Sequence, residues 1–218
     1  TPLTAIKLFV EMLLKGQAGA LSNKQKEYVS DVSVSTERMI RLVNDLLNVA
    51  RIEEQRFKYK PAYEDLQDTI KTVISELKSE YPTEQKTLTF HKGKEELPKI
   101  MMDKEAIKLA IRNLLENAIE YSPSGGKILI SIALQGKKVT VSIQDTGIGI
   151  TREERKHVFT KFFRGERAMR LSPNRSGLGL FIVKNIIEAH AGKVWFEPTK
   201  GNGTPFHITL PVQIQKKG

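Results

Sequence analysis

The sequence predicts an α+β fold in two parts. The first is an N-terminal antiparallel helical hairpin that pairs into a dimeric four-helix bundle. The second is an α/β sandwich with a mixed, mainly antiparallel sheet covered by helices on one face. Three observations lead there. A seven-residue seam runs through residues 23–55, where Val29, Thr36, Val43 and Ala50 repeat beside Val32, Met39 and Leu46, with charged residues between them. Pro61 closes that region and the pattern changes character. Beyond it, helical stripes alternate with strand-like segments such as Val139, Val141 and Ile143, apolar at every second position.

Element by element, Leu3, Ile6, Val10, Leu13 and Leu14 form one stripe of a helix over 3–15. Residues 16–22, with two glycines, break it, and a long helix follows from about Asn23 to Gln55. Two helices alone bury too little surface, so the region 1–57 is expected to dimerise. In the region 58–218, Leu66 to Leu77 reads as a helix and Thr87 to His91 as a strand. Asp103 caps a helix that reaches about Tyr121. Lys127–Gln135 and Lys138–Asp145 form a strand hairpin turning at Gly136. Thr151-Arg-Glu-Glu154 is a capping box that starts a short helix. Residues 164–176 show no periodicity and read as a mobile loop rich in arginine: Arg164, Arg167, Arg170 and Arg175. Gly177 to Ala189 is helical, and Lys193–Glu197 pairs with Phe206–Val212 around Gly201-Asn-Gly203.

Composition narrows the function. Hydrophobic residues make up 39% of the 218, enough for a core, and charged residues 28%, too ordinary for gross disorder. Net charge is +10, but the basic residues are spread along the chain without aromatic interleaving or zinc-finger spacing, which argues against a nucleic-acid partner. The absence of cysteine excludes disulfides, thiolate metal sites and cysteine nucleophiles. No apolar run reaches the roughly 18 residues that a membrane span needs. His91, His157, His190 and His207 lack metal-ligand spacing, and His190 stands at a helix C-terminus, where positive charge is favourable.

Three motifs carry chemistry. The strand through Val139 delivers one carboxylate, Asp145, into a loop with Gly147 and Gly149, where backbone amides can be approached without a Cβ in the way. Asn113 and Asn117 lie four apart on an apolar helix and share a face. A second glycine pair, Gly177 and Gly179, alternates with Leu178 and Leu180 at a helix start, where free N–H groups favour an anion. An acid for a base edge, amides for phosphates and an asparagine oxygen for a hard cation describe a nucleotide site.

At these residues the chain resembles bacterial sensor histidine kinases of two-component systems. Asn113-Leu-Leu-Glu-Asn117-Ala-Ile-Glu120-Tyr121-Ser resembles the family's asparagine box, and Asp145-Thr-Gly-Ile-Gly149 its first glycine box. Phe159-Thr-Lys-Phe162-Phe163-Arg164 resembles the phenylalanine box and Ser176-Gly-Leu-Gly-Leu180 the second glycine box. Thr1-Pro2-Leu3 is similar to the tail of the phosphoacceptor box, His-Glu-Leu-Arg-Thr-Pro-Leu. The resemblance implies a dimerisation and phosphotransfer hairpin followed by a Bergerat-type ATP-binding domain, with ATP and Mg²⁺ as ligands and a response-regulator receiver domain as partner. It implies that Asn117 coordinates Mg²⁺, that Asn113 helps hold phosphates or the metal's waters, and that Asp145 accepts from the adenine amino group. Tyr121 either covers the adenine ring or packs the helix end. Phe159, Phe162 and Phe163 are expected to anchor the lid, and Arg164 to counter triphosphate charge.

The same resemblance implies a cytoplasmic catalytic portion of a longer protein, joined to a membrane, if at all, only through segments preceding this one. Three departures stand out. The family's phosphorylated histidine lies four residues before the position of Thr1, so this chain as numbered is expected to bind nucleotide without phosphorylating itself. Glu120 stands where a basic residue is common, and Arg175 where a glycine is common. Thr1 matches the family position that orients water in dephosphorylation, which keeps open a second reading as a scaffold or response-regulator phosphatase. Type II topoisomerases, mismatch-repair ATPases and a heat-shock chaperone share the ATP fold but lack the hairpin.

Overall fold

The computed structural model describes residues 2–54, 57–81, 86–93, 95–173, 175–199 and 203–213. Helix α1 (Pro2–Leu14) and helix α2 (Asn23–Glu53) pack side by side, with Lys7 3.1 Å from Glu37. Ser22 starts α2 through a capping box: its Oγ accepts from the Gln25 N–H at 3.3 Å, and the Gln25 side chain accepts from the Ser22 N–H at 2.9 Å. Between them the two helices bury little. Val10 and Thr36 are closed off, whereas Phe9 remains 62% exposed and Met39 52%.

The rest forms a sandwich. Its sheet has five strands in the order β2 (Thr87–Lys92), β4 (Lys127–Gln135), β5 (Lys138–Gln144), β7 (Pro205–Pro211) and β6 (Lys193–Phe196). Only β2 and β4 run parallel. Burial alternates along the strands as the pleat demands: Ile128, Ile130 and Ile132 on β4 and Phe206, Ile208 and Leu210 on β7 all turn inward. Against that face lie α3 (Leu66–Glu80), α4 (Lys104–Tyr121) and α6 (Gly179–Ala189), each with an apolar stripe buried in one continuous core. Val49 and Ile52 of α2 pack on the same core, so the hairpin is seated on the sandwich.

Caps act where charge and sequence place them. Asp103 Oδ1 accepts from the Ala106 N–H at 3.0 Å at the start of α4, and Asp65 serves α3 in the same way. Thr151 and Glu154 form the expected reciprocal box, but the turn that follows is a single 3₁₀ turn, Glu154–Lys156.

Several expectations need correction. A second sheet pairs two three-residue strands, β1 (Ala62–Glu64) with β3 (Ile100–Met102), both too short to show alternation in sequence. The segment read as a mobile loop contains helix α5 (Glu166–Leu171). The Arg164 guanidinium braces its C-terminal end by donating to the carbonyls of Ser172 and Pro173, just past the helix, and to that of Ala168, which also accepts from the Ser172 N–H at 2.9 Å. His190 does not act as a free cation at the end of α6. Its Nε2 accepts from the Asp103 N–H at 3.0 Å, which leaves Nδ1 as the donor to the Ile186 carbonyl at 2.7 Å. Thr1 and most of the 201–203 turn lie outside the described residues.

Candidate functional site

Helix α4, the end of β5 and the start of α6 converge on one open-mouthed cleft. Asn113, Asn117 and Tyr121 present one face of α4 to it, each about one turn from the next. Among the described residues the Asn117 carboxamide has no hydrogen-bond partner, so its oxygen is free for a ligand. Asn113 is less free: its Nδ2 donates to the Leu109 carbonyl at 3.0 Å.

Asp145 sits just past β5, 8% exposed. Its Oδ1 accepts from the N–H groups of Gly147 at 2.7 Å and Thr204 at 3.3 Å. Both donors reach the same oxygen, so Oδ2 is not consumed by them. Burial raises the Asp145 carboxyl above the ordinary carboxylate range, and backbone N–H donors, that of Gly147 foremost, pull it partly back. Gly147 works behind the cleft, because a Cβ there would come within 2.5 Å of the Tyr121 carbonyl oxygen. That packing ties the loop to the end of α4, where the Ile148 N–H donates to the same carbonyl at 3.2 Å. Tyr121 therefore both lines the cleft and closes the helix end.

The far end is built by the second glycine box. Gly177 adopts φ +73°, a left-handed conformation natural to glycine, and a Cβ there would strike the Phe162 backbone. Gly179 has a different reason. A Cβ would lie 2.7 Å from Asn113 Oδ1, so its absence lets α6 approach α4. Ser176, Gly177, Gly179 and Leu180 line the cleft, while Leu178 is wholly buried behind it.

Residues 164–173 with 175 and 176 form the roof. Arg164 and Ala168 line it from above, and Arg167 donates to the carbonyls of Ile148 and Gly149. Phe159 and Phe163 pack inward, against Phe196 and His157 respectively. Phe162 does not join them: it is 60% exposed at φ +62° and lies outside the cleft.

The two charged departures meet each other. Arg175 donates to Glu116 at 2.9 Å and to Glu120, and Ser172 also donates to Glu120. Glu116 in turn holds Arg112 at 3.0 Å. The basic charge that residue 120 lacks is thus supplied to the same place by residue 175. Burial opposes charge on Arg175, but the two carboxylates outweigh it and hold the guanidinium protonated. Sequence reasoning missed two acidic residues here. Glu116 lies inside the asparagine box and is visible in sequence as the i,i+4 partner of Arg112. Asp45 comes from α2, and no local signal marks it.

Comparison with known proteins agrees with this geometry. The family of histidine kinase-, DNA gyrase B- and HSP90-like ATPases matches residues 102–214, and the histidine kinase A phospho-acceptor domain matches residues 1–55. Sensor histidine kinase WalK of Bacillus subtilis is 29% identical over 225 residues, taking in 100% of this chain and 35% of the relative. Adaptive-response sensory kinase SasA of a Synechococcus strain is 33% identical over 219 residues, 97% of this chain and 56% of the relative. The chain therefore spans about a third to a half of these relatives. Among solved structures, histidine kinase ThkA in complex with response regulator TrrA has a TM-score of 0.69 at 26% identity, covering 100% of this chain and 59% of that one. Full-length ShkA in complex with AMPPNP shares the fold, with a TM-score of 0.75 at 24% identity over 95% of this chain and 43% of that one. With a hairpin of the phospho-acceptor type joined to a sandwich of the Bergerat ATPase type, the chain belongs to the sensor histidine kinases of two-component systems, a family of ATP-dependent protein-histidine kinases.

Proposed function

We propose that the cleft binds Mg·ATP and that the protein moves the γ-phosphoryl group to a phospho-acceptor histidine preceding Thr1, and then to an aspartate of a response-regulator receiver domain. The observation that carries this reading is the convergence of Asn117, Asp145 and the Gly177 turn on one cavity. Asp145 offers an acceptor to the adenine amino group, a donor that guanine lacks at that position. The unpartnered Asn117 carboxamide suits Mg²⁺, which takes oxygen ligands. Among the described residues no cluster of three or more acidic or histidine side chains is placed to hold a metal ion. Mg²⁺ would supply charge neutralisation, and the chain's own residues supply position. Asp145 orients the base, Asn113 and Asn117 face the tail, and the arginine-bearing residues 164–173 cover the cleft and exclude water.

Asp45 and Asn48 line a groove between α2 and α4 next to the cleft. We further propose a homodimer through the hairpin, because Leu8, Phe9, Met39, Leu46 and Leu47 are each at least 42% exposed. By family membership the catalytic portion works in the cytoplasm. No helix among the described residues is long and apolar enough to cross a membrane.

Calorimetry tests the site. Asn117→Ala is expected to remove the Mg²⁺-dependent part of ATP affinity. Asp145→Asn is expected to weaken binding about 10- to 100-fold and to erase preference for adenine over guanine, the loss of one charge-assisted bond of roughly 1.5–3 kcal/mol. Unchanged Mg·ATP binding in both variants would show that the nucleotide lies elsewhere.

A further inference from the structure

Asp45 belongs to the hairpin, yet its carboxylate stands inside the cleft of the other domain. Its Oδ2 accepts from Ser176 Oγ at 2.7 Å, across 131 positions of sequence. Ser176 Oγ in turn accepts from the Leu178 N–H at 3.2 Å, immediately before the first residue of α6. An anion is favoured at such a helix start, and a carboxylate of the protein itself already stands there.

The charges around it are accounted for. Arg175, the adjacent cation from the roof, is committed to Glu116 and Glu120 on α4. Arg41 approaches from Asp45's own helix, and Glu116 opposes it from α4. Burial raises the Asp45 carboxyl above its ordinary range, and the Ser176 bond moderates that rise. The cleft wall therefore carries Asp45, Asp145 and Glu154 against Arg164, whose terminal nitrogens donate to backbone carbonyls while its Nε is buried without a partner among the described residues, and Arg175, which is paired with Glu116 and Glu120. A polyphosphate tail entering this end meets a like charge at short range.

We propose that Asp45 is a specificity-determining residue of the nucleotide cleft: its carboxylate, carried in by the hairpin, occupies the phosphate end and selects against tail charge. Seating of α2 at Ser176 and binding of a polyphosphate oppose each other, and by linkage each weakens the other equally. This rests on reading the cleft as a nucleotide site.

The test compares the wild-type chain with Asp45→Asn, which keeps the size of the side chain and an acceptor for Ser176. Adenosine, ADP and ATP are titrated into each, with and without Mg²⁺ and at low and high salt. The variant is expected to bind metal-free ATP about tenfold more tightly, Mg·ATP and ADP by less, and adenosine equally, with the differences shrinking in high salt. Asp45→Ala should reproduce the order, which separates charge from the Ser176 bond. ATP affinity that is unchanged or weaker in both variants overturns the proposal and leaves the nucleotide site standing. If the wild type binds none of the three ligands, the site assignment itself fails and this inference falls with it.

Discussion

The hairpin and the sandwich carry similar helical stripes but end in opposite states. On α3 and α4, Ile70, Ile107, Ile111 and Leu115 are completely buried, because a sheet lies across from them. On α1 and α2, the same kinds of residue stay open: Leu8 is 56% exposed and Leu47 50%. Periodicity reports that a face wants burial, not what buries it. In the sandwich the partner layer lies in the same chain. In the hairpin it does not, and among the described residues of α1 and α2 only Val49 and Ile52 find the sandwich core.

The sharpest break of that comparison comes from one substitution on each side. Ile111→Ala should destabilise the sandwich by about 2–5 kcal/mol, because the cavity forms in a core closed on all sides. Its effect should not depend on protein concentration. Met39→Lys with Leu46→Lys should yield monomers by light scattering and leave the sandwich's unfolding transition in place. The wild type should melt at a concentration-dependent temperature that the double variant loses. A wild type already monomeric at micromolar concentration would refute the dimer, and the exposed stripe would then need another partner.

What the sequence could show follows from how local each signal is. Alternation at Val139, Val141 and Ile143 needs only seven residues, and β5 follows it. The Asp103 cap and the Thr151–Glu154 box are contained within four residues and form as expected, although the second closes only a 3₁₀ turn. The asparagine face of α4 is likewise local, and the structure brings Asn113, Asn117 and Tyr121 to one cleft. Illegible were features set by distant partners. Glu120 and Arg175 look like two separate defects until the fold places them together, 55 positions apart. Asp45 is one acid among many on an exposed helix, and α5 has six residues held by a side chain outside it. Phe162 was misread for the converse reason: helical spacing implied a shared face, but a left-handed backbone turns it outward.

The smallest expected effect separates the two regions by pH. All four histidines lie beyond residue 57, in the sandwich's part of the chain. His207 on β7 is the one to follow. Its Nδ1 lies 2.7 Å from Ser142 Oγ, its ring stacks on Trp195, and Glu197 lies 3.5 Å from Nε2. Burial lowers the His207 pKa below the ordinary imidazole value near 6.5, and Glu197 only partly restores it. The folded chain therefore takes up this proton later than the unfolded one. Stability from this group is fully present above the ordinary value and is lost as pH falls through it toward the folded one. Asp45 and Asp145, both raised, act in the opposite sense at lower pH. The informative quantity is therefore the difference between the wild type and His207→Gln, measured by urea unfolding from neutral pH to mildly acidic pH. The variant should lose less stability on acidification, and the hairpin's dimerisation should not change over the same interval. Parallel stability curves for the two chains would show that His207 titrates as it does in the unfolded chain and that its burial carries no energetic consequence.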